Sequence, residues 1–164
     1  MKLNLLKRFK KKDQRHVVFN PRYRVITVEQ PSSTAAEAYR RLKVSLDYSS
    51  IDDKLKTIVF TSAVQGEGKS TTLLNIAACY AEAGKKVIVV DLDFRRPKVH
   101  RAFDIENENG ITDVIAGKLE LKDAIKHSEK LGFDALNRGT KVANPFVILG
   151  GNQVSEVISK LWNF

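Results

Sequence analysis

At 164 residues, with 43% apolar and 29% charged residues, the chain can bury one proper core and is unlike a disordered chain. A single cysteine, Cys79, excludes a disulfide framework, and no apolar run approaches the roughly 18–20 residues that span a bilayer. The net charge of +9 is lopsided: the first sixteen residues carry seven basic side chains against one acid, which leaves a nearly balanced body.

That basic segment, 1–16, interleaves Leu3, Leu5, Leu6 and Phe9 with its charges. The composition suits the surface of an anionic membrane, and equally a solvated terminus. It lacks the apolar stretch of a secretory signal. No nucleic-acid reading motif accompanies the charge, so no nucleic acid is expected as a partner. Residues 17–31, punctuated by Pro21 and Pro31, read as an extended linker with some strand character. The stretch "SSTAAEAYRRLKVSLDYSS" reads as a helix opened by a capping box, Thr34 with Glu37.

"KTIVFTS" (56–62) has the β-branched, apolar character of a short buried strand. A glycine loop follows, then a helix over about 69–83 with Gly84 placed as its C′ residue. "KKVIVVD" (85–91) is a second buried strand, and strand–helix–strand spacing predicts a βαβ unit with parallel strands. Helical pieces are expected near 111–116 and 120–128, and an amphipathic helix over about 152–162. Cys79 lies among apolar neighbours and reads as core, while His16, His100 and His127 read as solvated rather than metal-binding. The fold class is α/β, a P-loop NTPase-like parallel sheet flanked by helices.

Residues 63–70, "AVQGEGKS", match the P-loop pattern with Ala63 in place of its first glycine. Gly66 and Gly68 let the backbone approach phosphates, and the helix beginning near Lys69 turns its positive end toward the anion. Lys69 would reach the β- and γ-phosphates, Ser70 would ligate Mg²⁺, and Thr71 would donate near the α-phosphate. The next strand ends in Asp91 and Asp93, with Arg95 and Arg96 beyond. At the C-terminal end of a parallel strand beside a P-loop, such carboxylates can order Mg²⁺ or accept a proton from an attacking hydroxyl.

Together "VQGEGKSTT", "VIVVDLDFRRP" and "NGITDVIAGKLELKDAI" resemble the cytoplasmic catalytic domain of bacterial protein-tyrosine kinases (BY-kinases) of capsule and exopolysaccharide synthesis. The resemblance runs from about residue 25 almost to the end, making 32–164 the N-terminal portion of a P-loop kinase domain. It implies transfer of the γ-phosphoryl of ATP to tyrosine, with Mg²⁺ held by Ser70, Asp91 and Asp93. Asp91, Asp93 and Lys69 would be catalytic, and Gly66, Glu67, Gly68, Lys69, Ser70, Thr71 and Arg95 would contact ATP. The family's E-x-x-R-x-x-R motif for ring assembly has its counterpart in Glu37, Arg40 and Lys43, with lysine replacing the last arginine. Further implications are a transmembrane activator or chain-length regulator as partner, and a peripheral location at the inner face of the membrane.

The family also places an apolar strand ending in aspartate, Walker B, and a tyrosine-rich tail after the segment that closes this chain. The late run "FVIL" (146–149) ends instead in Gly150-Gly151. The expectation is a chain cut short before Walker B, with an apolar edge unpaired beside the P-loop strand and low stability. Two alternatives stay open. One is a septum-positioning or DNA-partitioning ATPase switch (MinD/ParA-like), although Val64 stands where such proteins carry a lysine. The other is a non-catalytic nucleotide-binding regulatory module.

Overall fold

The computed structural model describes residues 24–49, 56–162 and 164. The basic segment 1–16 and the first part of the linker, 17–23, lie outside the described residues. In chain order the elements are α1 (Ile26–Glu29), α2 (Thr34–Tyr48), α3 (Lys69–Glu82), β1 (Ile88–Val90), α4 (Val99–Ala102), α5 (Ile111–Ile115), α6 (Leu121–Ala124), β2 (Ile125–Ser128), β3 (Phe133–Leu136), α7 (Pro145–Gly150) and α8 (Gln153–Leu161).

Strand β3 is the organising element. It pairs parallel with β1, Val89 opposite Ala135, and antiparallel with β2, His127 opposite Asp134. Alternation along β3 divides the core in two. Phe133 and Ala135 join Leu74, Ala77 and Ala78 of α3, with Val25, Val89 and Val99, on one face. Leu136 joins Phe94, Ile111, Leu121, Ala124 and Val157 on the other. The result is a mixed sheet between two helical layers.

Helix α3 follows the sequence closely. Its C-terminus is a Schellman motif: Gly84 donates to the Ala81 carbonyl and Lys85 to the Tyr80 carbonyl. Cys79 is buried in it, as expected. Helix α2 starts one residue earlier than the capping box suggests. Ser33 is the N-cap, its hydroxyl accepting from the Ala36 N–H at 3.2 Å, and Thr34 is the first helical residue. Glu37 is thereby released from capping and pairs with Arg40 at 3.2 Å.

Four expectations are corrected. Residues 56–62 are neither strand nor buried: they pair with no strand among the described residues, and Val59 is 82% exposed. An apolar sequence becomes a strand only where another strand offers its backbone donors and acceptors, and β1 takes its parallel partner from β3. Residues 26–29 form a helical turn instead of continuing an extended linker. The segment 120–128 divides into α6 and β2, because Ile125 turns extended and pairs with Leu136. His100 is half-buried rather than solvated, and burial lowers its pKa. The run "FVIL" lies within α7, which starts at Pro145 after the Asn144 side chain accepts from the Phe146 N–H.

Candidate active site

The parallel pairing of β1 with β3 brings their C-terminal ends to one edge of the sheet, where ligands gather in α/β folds. The glycine loop arrives at that edge on α3. Gly66 and Gly68 have φ of +96° and +93°, a left-handed backbone that other residues adopt only with strain. Gly68 is the N-cap and offers no side-chain cap, so the first N–H groups of this 14-residue helix stay directed outward. The Glu67 carboxylate accepts from the Val64 N–H at 3.2 Å and holds the loop closed.

Lys69 Nζ donates to Asp93 Oδ2 at 3.0 Å, both side chains about two-thirds shielded. Asp93 Oδ1 accepts from the Arg96 N–H at 2.9 Å. Burial alone would raise the Asp93 pKa, but the Arg96 N–H, the Lys69 ammonium and the Arg95 N–H together hold it below the ordinary value. Asp93 is therefore firmly anionic at neutral pH. A further bond from the Arg96 guanidinium to Gln65 Oε1 ties the glycine loop to the turn after β1.

Asp91, 6% exposed, is engaged differently. Its Oδ1 accepts from the Asp93 N–H at 3.1 Å, and its Oδ2 from the N–H groups of Lys98 and Val99 at 2.8 and 3.0 Å. This carboxylate shapes the turn that presents Asp93. Ser70 and Thr71 are half-buried in the first turn of α3. Hard oxygen donors on Ser70 and Asp93, beside a lysine and open helix N–H groups, fit Mg²⁺ carried in on phosphates. Among the described residues no cluster of three His, Cys, Asp or Glu side chains would cage a metal by itself.

Glu37, Arg40 and Lys43 share one face of α2 and have partners within the chain. Arg40 forks onto Glu82 of α3 at 3.0 and 3.1 Å and donates to the Pro31 carbonyl. Lys43 pairs with Asp47 at 2.7 Å and lies over the Tyr80 ring. Sequence reasoning missed Asn75. Wholly buried, it accepts from the Thr27 N–H and hydroxyl and donates to the Thr71 carbonyl, linking α1 to the first turn of α3. A lone amide inside the apolar run "LLNIAAC" is the signal from which it was legible.

A family model described as an AAA domain matches residues 55–159. The chain belongs to that AAA domain family. Its relatives include the tyrosine-protein kinase YwqD of Bacillus subtilis, 38% identical over 81% of this chain and 56% of that protein. The tyrosine-protein kinase etk of Escherichia coli K12 is 32% identical over 88% of this chain and 20% of its own. Among solved structures, the kinase domain of the Escherichia coli tyrosine kinase ETK superposes with a TM-score of 0.79 at 32% identity, covering 89% of this chain and 56% of that one. The chimerical protein CapA2B2 superposes at 0.78 with 30% identity over 84% and 61%. This AAA domain thus resembles bacterial tyrosine kinases in sequence and fold, and it spans little more than half the length of YwqD. No helix among its described residues is long and apolar enough to cross a membrane.

Proposed function

We propose that this chain is the nucleotide-binding part of an ATP-dependent protein-tyrosine kinase acting in capsule or exopolysaccharide synthesis. The observation that carries the reading is the Lys69–Asp93 bridge at the mouth of a glycine loop whose helix N–H groups stand open. Lysine and helix terminus would hold the β- and γ-phosphates, with the Gly66, Glu67, Gly68 and Thr71 backbone around them. Ser70 and Asp93 would ligate Mg²⁺, with Asp91 holding the turn that aims Asp93; the ion would supply charge neutralisation across the phosphate oxygens. In transfer the tyrosine oxygen bonds to the γ-phosphorus, the bond to the bridging oxygen breaks, and ADP leaves with that electron pair. The phenolic proton passes to Asp93.

With this reading go a transmembrane chain-length regulator as partner and self-assembly through Glu37, Arg40 and Lys43, both implied by the family resemblance of the sequence motifs. The reading includes a cytoplasmic, membrane-peripheral location, to which the basic segment 1–16 could add lipid affinity. Residues 32–164 form the catalytic unit in this reading. Incubation with ATP–Mg²⁺, read by nucleotide binding and by phosphotyrosine on chain or added peptide, tests the proposal. Lys69→Ala is expected to weaken ATP binding at least about tenfold and abolish phosphotyrosine. Phosphate release with no phosphotyrosine would favour an ATPase switch, and binding with neither product would favour a regulatory module.

A further inference from the structure

Beside the phosphate site lies a second feature. A cleft of about 380 Å³ opens between Phe94 and Arg95 on one side and residues 141–146 on the other. Its volume falls in the range of small-ligand pockets and exceeds one aromatic side chain. Two cations, Arg95 and Lys141, face it, and no acidic residue lines it. Phe146 is 66% exposed, and the Arg95 guanidinium lies 5.1 Å from its ring centroid. An exposed aromatic plane stiffened by a stacked arginine is a platform for another flat ring.

Both walls are anchored. Phe94 is 4% exposed, and the same short turn carries Asp93, whose carboxylate accepts from the Arg96 N–H. Asp113 Oδ2 accepts from the Thr140 N–H at 2.9 Å, and the Asn144 side chain accepts from the Phe146 N–H at 3.1 Å. The cleft therefore begins one residue beyond the carboxylate assigned to the hydroxyl proton. Resting on the kinase reading, we propose that it docks the acceptor: an acidic peptide whose carboxylates meet Arg95 and Lys141 and whose aromatic side chain lies on Phe146. Guanidinium and ammonium groups select carboxylates, and the ring platform selects the aromatic residue.

The probe is a labelled synthetic peptide with one tyrosine flanked by glutamates, titrated by fluorescence anisotropy against the full chain. A counterpart carries glutamine in place of each glutamate. The glutamate peptide is expected to bind about tenfold more tightly than its counterpart. Lys141→Glu should weaken it by about tenfold and Phe146→Ala several-fold. ATP affinity in both variants should stay within about twofold of the parent, which also reports that they fold. Equal binding of the two peptides, unchanged affinity in both variants, or a parallel loss of ATP affinity in Phe146→Ala would overturn the docking site; the last would assign the cleft to the nucleotide base. Peptide binding that depends on Lys141 without any phosphotyrosine removes the kinase reading and leaves an acidic-peptide site. Phosphotyrosine formed with an unchanged peptide KM in both variants does the reverse.

Discussion

Asp93 gives one oxygen to Lys69 and the other to the Arg96 N–H, whereas Asp91 gives both of its oxygens to backbone donors. Two identical residues two positions apart thus differ in how readily they can be turned to a ligand. Asp113 resembles Asp91 in this respect: its Oδ2 accepts from the N–H groups of Gly110 and Thr140 at 3.0 and 2.9 Å. Burial would raise the Asp113 pKa, yet its bonds to Thr140 and Gly110 bring it below the ordinary value, as those of Asp93 do there. A carboxyl lowered in the folded state contributes stability that is present above its unfolded pKa and lost as pH falls through the folded one. Thermal melts taken stepwise from pH 7 to pH 3 should therefore show Tm falling in the acid range. Asp113→Asn should melt lower at pH 7 and show a shallower acid slope; a parallel slope would remove Asp113 from the account. The D-x-D spacing was legible in the sequence. The division of labour between its members was not, because it depends on where the backbone of Lys98 and Val99 returns.

Helix α3 meets α1, α2, β1 and β3, and polar contacts hold it to both helical neighbours. Arg40 clamps α2 to Glu82 near its C-terminal end, and Asn75 clamps α1 near its first turns. Asn75→Ala leaves the buried Thr27 N–H without its acceptor, a loss of about 2–3 kcal/mol. Chemical denaturation should show that loss, and ATP affinity should fall with it, since the Thr71 carbonyl loses its amide partner. A stability loss with unchanged ATP affinity would mean that the clamp does not reach the phosphate loop. The helix itself was readable from local chemistry: the glycine loop before Lys69 and the C′ glycine, Gly84. The clamps were not, since their partners lie 42 and 48 positions away along the chain.

Across the whole molecule, the segment entering the phosphate loop exposes apolar surface beside the site, as do Phe146, Val147 and Leu149 of α7. With Val59 82% exposed and no strand paired to it among the described residues, 56–62 offers a template for other extended chains. Val59→Lys is expected to suppress self-association in light scattering while leaving the monomer Tm within about 2 °C, as befits a surface change. Unchanged association would place the sticky surface elsewhere. The sequence alone determined the α/β class, the helix from Lys69, the glycine loop and the strand that leads to Asp91 and Asp93, because each is written in neighbouring residues. Only the tertiary structure decided that β1 pairs with β3, that 125–128 leaves its helix for a strand, and that 56–62 pairs with no strand among the described residues. Strand pairing is a contest among distant segments for the same backbone hydrogen bonds, and its outcome is set by what lies alongside rather than by the apolar pattern of any one segment.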